Sequence, residues 1–275
     1  MACDFWGNLV NADCEDTVSI DITSMSYIGE TTVSPLIGNG TILTTISTSR
    51  DGNYIYTATD NGIDFAQRGT FGIAGDISSV TWDNTPVTGY NNVAFNPDGT
   101  KQAMAGNADL HFFEPAPAFS LTDFASAVGS ETDAPNIGDH GTYADPVFIS
   151  NYFGTVTRFT PNPYPTDWDR ATVSLGVDAV YDSYGAIFTA DGLTMLTWDT
   201  EAYTANPDEQ FLVQYDLSVP FDITTLTLKH RVSMSSYYPD YGIRGLALKA
   251  DDSGVYVVGQ PITGNNLTIQ EFNFT

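Results

Sequence analysis

One short motif recurs five times along this chain of 275 residues: Asp, any residue, a small residue, Ser or Thr, then an apolar residue. The copies are Asp21-Ile-Thr-Ser-Met25, Asp76-Ile-Ser-Ser-Val80, Asp123-Phe-Ala-Ser-Ala127, Asp169-Arg-Ala-Thr-Val173 and Asp222-Ile-Thr-Thr-Leu226. They fall at intervals of about 50 residues, the period of a repeat architecture built from small sheets. A second mark keeps the same beat, as Arg50-Asp51-Gly52-Asn53, Pro97-Asp98-Gly99-Thr100 and Ala190-Asp191-Gly192-Leu193. Asp252-Ser253-Gly254 is a looser copy. The copy expected near Asp145 is degenerate, and its turn is expected at Ser150-Asn151.

Apolar runs flank these turns. Val93–Phe95, Ala186–Phe188 and Leu246–Leu248 precede them, and Tyr54–Ala58 and Val255–Val258 follow. Asp-Gly between such runs signals a hairpin, and no stretch carries a 3.6-residue period. Each unit then supplies four short strands, the content of a propeller blade, which cannot bury both faces alone. The first motif copy has no strands before it, whereas the last unit, from about Tyr241, has three strands and stops at Phe274-Thr275. Val18 to Ile28 is therefore expected to be the outermost strand of the last blade. The fold expected is all-β: a five-bladed β-propeller of four-stranded antiparallel blades over residues 17–275, its ring closed by an N-terminal strand. Residues 1–16 form an N-terminal arm. A β-sandwich with coincidental spacing is the alternative.

Charge narrows the partners. Thirty-four acidic side chains stand against 9 basic ones, a net charge of -25. Phosphate backbones and anionic membrane surfaces would repel such a chain, so neither nucleic acid nor membrane is an expected partner. No run of 18 apolar residues occurs, and Met1-Ala2-Cys3-Asp4 lacks the basic start of a secretory signal. At 42% hydrophobic and 13% aromatic the chain is too apolar to remain a disordered acidic tail. Cys3 and Cys14 are either free thiols or one disulfide across the arm. Two cysteines without a nearby histidine fall short of a zinc site.

The expected inner strands carry no acidic residue, which argues against the paired carboxylates of a glycosidase. No Gly-x-Ser-x-Gly and no phosphate loop occurs, so no enzyme activity is expected. The repeated Asp reads as an Asx turn leading into an outer strand. Calcium held by loop carboxylates, at an irregular site, is the rival reading; otherwise no cofactor is expected. Tyr90, Tyr143, Tyr184 and Tyr241 precede the innermost strands. With His140 and Arg244 beside them they would form a binding face, or else pack at blade junctions. Phe5 and Trp6 stand in the arm as an assembly anchor, or fold back on the last blade.

Val93-Ala-Phe-Asn-Pro-Asp-Gly-Thr-Lys101 and Gln214-Tyr-Asp-Leu-Ser-Val-Pro-Phe-Asp-Ile-Thr-Thr225 resemble propeller repeats of tailed-phage virion proteins, particularly marine ones, and of some bacterial surface proteins. The resemblance extends over residues 17–275. It implies a non-enzymatic virion structural or accessory protein, a capsid decoration or tail-appendage subunit. Its partners would be other virion proteins and a host-surface glycan or protein, and its location the virion, assembled in the host cytoplasm. A carbohydrate-binding lectin-like module is the alternative, and a five-bladed-propeller glycosidase a further one. High acidity suits a surface exposed to saline, where self-repulsion is screened.

Overall fold

Each repeated Asp-Gly mark closes a loop of one design. In a computed structural model, which describes residues 2–3, 9–10, 20–32, 42–60, 65–83, 87–88, 92–106, 109–121, 127, 129–131, 141–144, 147–152, 154–162, 167–175, 181–201, 210–237, 243–259 and 268–275, four such loops superimpose in their hydrogen bonding. The N–H groups of Ser49, Asn96, Thr189 and Lys249 donate across the loop to the carbonyls of Tyr54, Lys101, Thr194 and Gly254. The third residue of each loop is Asp51, Asp98, Asp191 or, in the looser copy, Asp251 rather than the expected Asp252, and its carboxylate accepts the N–H two residues on, at 2.9–3.0 Å. The next position needs positive φ: Gly52 (73°), Gly99 (71°), Gly192 (69°) and, in the last copy, Asp252 (57°). Four residues therefore lie between the paired positions, longer than a two-residue Asp-Gly hairpin.

Strands account for nearly all the regular structure. Among the described residues β1 (Ala2–Cys3) and β2 (Leu9–Val10) pair only with each other, and β3 (Ser26–Thr32) follows a 3₁₀ turn at Ile22–Ser24. Sheet one holds β4 (Ile42–Thr48), β5 (Tyr54–Asp60), β6 (Phe65–Phe71), β7 (Val80–Trp82) and β8 (Val87–Thr88). Sheet two is β9 (Ala94–Phe95), β10 (Gln102–Gly106), β11 (Asp109–Phe113) and β12 (Gly129–Glu131). Sheet three is β13 (Gly141–Ala144), β14 (Val147–Tyr152), β15 (Thr155–Asn162) and β16 (Asp167–Ser174). Sheet four is β17 (Tyr181–Phe188), β18 (Thr194–Glu201), β19 (Gln210–Asp216) and β20 (Thr227–Ser233). Sheet five runs β21 (Ile243–Leu248), β22 (Gly254–Gly259), β23 (Thr268–Asn273) and then β3. Every pairing is antiparallel, and the arrangement is that of a β-propeller.

The sequence reading needs four corrections. Four sheets, not five, have four strands, because sheet one has five. Its β6 pairs with β7 through Gly69–Phe71 and with β8 through Phe65 and Ala66, and between these two strands the sequence places Pro86, which has no N–H to donate. The N-terminal strand begins at Ser26 rather than Val18, because Asp21 caps a 3₁₀ turn first. In sheet three the Ser150-Asn151 turn is absent, both residues lying within β14, and the loop glycine is Gly154 at φ 71°. That loop joins the second and third strands of its sheet rather than the first and second. Finally, the fourth motif copy at Asp169 lies inside β16, not at a turn.

At Asp21, Asp76 and Asp222 the motif does build a capped turn: Oδ1 accepts the backbone N–H and the hydroxyl of the residue two ahead. The following Ile22, Ile77 and Ile223 are buried. The copy at Asp123 lies outside the described residues.

The sheets bury both faces, and alternation along single strands assigns each residue to a neighbour. On β22, Val255 and Val257 join Leu196, Trp198 and Leu212 of sheet four, while Tyr256 and Val258 join Ile46, Ile55 and Phe71 of sheet one. On β5, Ile55 faces sheet five, and Tyr56 and Ala58 face Val93, Met104 and Phe113 of sheet two. Polar links cross the same junctions. The Tyr256 hydroxyl donates to Gly75 O and the Tyr56 hydroxyl to Phe119 O, each at 2.7 Å. Burial pushes both phenols well above their ordinary pKa. The N-terminal segment is tied in likewise: Gln214 Nε2 donates to Ile20 O at 2.7 Å, and Ile20 and Ile22 are about 1% exposed or less.

Two outcomes follow from these contacts. Ile22→Ala removes a fully buried side chain and is expected to lower stability by about 2–5 kcal/mol in urea denaturation. A loss under about 1 kcal/mol would mean that the N-terminal segment does not belong to the core. The second concerns pH. The Thr100 hydroxyl and N–H hold Asp98 below the ordinary 3.8, and Thr224 does the same for Asp222. Their contribution is complete above the unfolded value of 3.8 and is lost as pH falls through the lower folded values. The stability gap between the wild type and Asp98→Asn should therefore be open at pH 6 and close towards pH 2.

Candidate functional site

The innermost strands of all five sheets meet around one cavity of about 320 Å³. β4 packs against β21, β21 against β17, β17 against β13 and β14, and β13 against β9. Sheets one and two meet through the cluster of Tyr56, Val93, Met104 and Phe119. Most of the wall is apolar, from Ile46, Phe95, Ile187, Phe188, Leu246 and Leu248. Ser47, Thr48, Thr142, Thr189 and Arg50 supply its polar side chains. The rim is set by the repeat itself: the residue just before the loop Asp is Arg50, Pro97, Ala190 or Ala250, and all four line the cavity. Pro97 and Ala190 are exposed, so the cavity opens at the end of the molecule where these loops lie.

Most of the polar groups here bridge sheets. Arg50 donates from one terminal nitrogen to Asp252 Oδ1 at 2.6 Å and from the other to Phe188 O at 2.7 Å. Asp252 Oδ2 accepts the Ala190 N–H at 2.7 Å. One arginine thus joins sheets one, four and five, with its carboxylate partner 9% exposed and itself 24%. Asp252 stands where the other loops have glycine, and at φ 57° it accepts a left-handed backbone to place that carboxylate. Thr48 Oγ1 donates to Leu248 O at 2.6 Å, and Thr142 Oγ1 to Ala186 O at 2.7 Å. Ser47 differs, because its hydroxyl oxygen is buried without a hydrogen-bond partner.

Of the residues singled out in the sequence, the two with described side chains, Tyr184 and Arg244, are not among those that line the cavity. Tyr184, on β17, is half-buried and stacks on Trp198 with ring centroids 6.2 Å apart. Gly185 must follow it, since at φ 75° a Cβ there would stand 2.1 Å from the Trp198 ring. Arg244 is half-buried on β21. Tyr143 is described only in its backbone, paired with Phe148. Tyr90, Tyr241, His140, Phe5, Trp6 and Cys14 lie outside the described residues, and Cys3 is described only as a backbone partner of Leu9. Among the described residues no three His, Cys, Asp or Glu side chains converge to hold a metal ion. The signal for the cavity was present in the repeat, at the position before each loop Asp. Compared with known protein families and with curated proteins, the chain matches none.

The Arg50–Asp252 bridge sets a measurable balance. Asp252→Gly removes left-handed strain of about 1 kcal/mol but also charge-assisted hydrogen bonds of about 1.5–3 kcal/mol. The variant is expected to be less stable by about 1 kcal/mol in urea denaturation. Equal or greater stability would show that the bridge contributes no more than the left-handed strain costs.

Proposed function

We propose that the five sheets are blades of one closed ring, the last completed by β3, and that the chain is a non-enzymatic accessory protein of a tailed-phage particle. It would decorate the capsid or belong to a tail appendage, binding other virion proteins and displaying its outer surface to the host. The observation that carries this reading is the use of the axis. Arg50, Asp252, Thr48 and Thr142 direct their polar groups into neighbouring sheets. Side chains at the centre of the ring thereby hold a rigid display scaffold together. Net charge of -25 keeps such a scaffold soluble and self-repelling when free, and salt screens it on a particle. The repeats that resemble virion proteins supply the rest of the argument.

A second reading, a carbohydrate-binding module, draws on one exposed feature. Tyr27 on β3 and Tyr237 after β20 are 43% and 38% exposed and stack with centroids 6.4 Å apart. Aromatic faces of this kind suit sugar rings.

Particle incorporation tests the first reading. The chain is expected to co-sediment with particles assembled in its presence, and a Phe5→Ala, Trp6→Ala variant is expected to fold yet remain in the soluble fraction. Recovery of the wild type only as a free protein would overturn the virion reading. Saturable glycan binding lost in Tyr27→Ala, Tyr237→Ala would favour the second.

A further inference from the structure

Two exposed tyrosines meet where sheets four and five adjoin. Tyr27 on β3 and Tyr237, in the turn after β20, are 43% and 38% exposed, and their rings stack. Phe272 is fully buried and meets both rings edge-on, at 5.8 Å and 5.0 Å. The Tyr237 N–H donates at 2.9 Å to the carbonyl of Met234, itself buried, which anchors the turn that carries the ring.

A β-bulge brings a carboxylate to the same face. On β23, Gln270 and Phe272 stand two residues apart and so point the same way. Their partners on β3, Glu30 and Tyr27, stand three apart, a spacing that regular pairing would send to opposite faces. The register shift at Ile28 takes up the extra residue, and both side chains fall on the face that Phe272 turns towards sheet four. Glu30 is exposed, and its Oε2 accepts Gln270 Nε2 at 3.2 Å. Burial first, and the Glu30 carboxylate beside it second, raise the Tyr27 pKa. None of the ion pairs among the described residues includes Glu30. A carboxylate has about four acceptor positions, so Glu30 keeps most of its capacity for a donor from outside. An exposed anion beside two aromatic rings suits a cation with an apolar body. The net charge of -25 concentrates cations at this surface and repels anions, acidic sugars included.

We propose that Tyr27, Tyr237 and Glu30 form a binding site for a primary alkylammonium ion. Its N–H groups donate to the Glu30 carboxylate, and its charge and alkyl chain rest against the two rings. Gln270 and Phe272 act through these residues, one holding the carboxylate and the other seating the rings. The site is independent of the virion reading, and it gives the two tyrosines a cation in place of the neutral sugar of the second reading.

n-Butylammonium is the probe, with n-butanol as its neutral counterpart and glucose as the sugar, each titrated against the full chain by NMR. Butylammonium is expected to bind saturably, at least about threefold more tightly than butanol or glucose, and to weaken as salt is raised. Glu30→Gln keeps the size and the exposure of the side chain. It should lower butylammonium affinity about threefold or more and leave butanol unaffected. Tyr27→Leu, Tyr237→Leu keeps apolar cover over Phe272 and should cost about fivefold with an unchanged circular dichroism spectrum. If that variant unfolds, Glu30→Gln alone decides. Absence of saturable binding, equal binding of butanol, or unchanged affinity in Glu30→Gln would each overturn the site. Unchanged affinity in a folded Tyr27→Leu, Tyr237→Leu would overturn the role given to the rings. Tighter binding of glucose than of butylammonium would overturn the site in favour of the sugar reading.

Discussion

A strand buried on both faces cannot be satisfied within its own sheet, and the fold follows from that constraint. All six residues of β22 are buried, with odd and even positions serving two different neighbouring sheets. β5 divides in the same way between sheets five and two. At about 25 cal/mol per Å² of apolar surface removed from water, each such strand stabilises two junctions at once. Sheets of this kind are stable only with a neighbour on each side, and the twist of each sheet brings their first strands together around an axis. The central cavity is a geometric consequence. Its wall is made of strands whose faces are already committed sideways, so only loop ends and a few hydroxyl positions remain to give it chemical character.

What the sequence disclosed is what local hydrogen bonding encodes. An Asp that accepts the N–H two residues on needs only its own neighbourhood, so the loops at Asp51, Asp98 and Asp191 and the caps at Asp21, Asp76 and Asp222 could be read directly. Asp169 shows the limit of such reading. It matches the motif, but Asp167–Ser174 pairs along its length with β15, and strand pairing over eight residues outweighs a local cap. Sheet three was illegible for a related reason. Its loop glycine, Gly154, sits one strand later than in the other sheets, so the repeat loses phase there. The bridge at the cavity rim, unlike the rim positions themselves, was hidden because it spans distant sequence: Arg50 and Asp252 are about two hundred residues apart. An arginine before one Asp-Gly and an Asp in place of another loop glycine are each unremarked alone. Only their meeting gives them a role.

The junctions solve one polar problem with different residues. In sheet four, Gln214 accepts the Ile22 N–H at the start of a 3₁₀ turn. In sheet five the corresponding Glu271 accepts the Ile77 N–H at 3.1 Å and takes Lys249 Nζ on its other oxygen. Lys249 is 9% exposed and also donates to Asn273 Oδ1. A neutral amide satisfies an isolated N–H at little desolvation cost, whereas the ion pair must offset the burial of two charges. The charged version therefore adds little net stability. It does restrict which side chains can stand beside one another, since either charge left alone in that position would be strongly destabilising. That restriction falls at the junction of sheets five and one, between the last unit of the chain and the first complete one. A repeat protein has most need to specify its pairing there, because any two blades of similar shape could otherwise meet.

The distribution of charge separates the two surfaces of the molecule. The chain carries 34 carboxylates, yet among the described residues no acidic side chain lines the axial cavity, and the cation there, Arg50, is matched by a carboxylate from a neighbouring loop. Around the axis, hydrogen bonding and apolar contact dominate, and salt should have little influence on what binds there. On the outside the field is strongly negative, so association with a partner depends on ionic strength and favours a complementary positive surface. The two modes are separable by experiment through salt alone. A ligand whose affinity is unchanged between low and high salt belongs to the axis, and one whose on-rate falls steeply belongs to the outer surface.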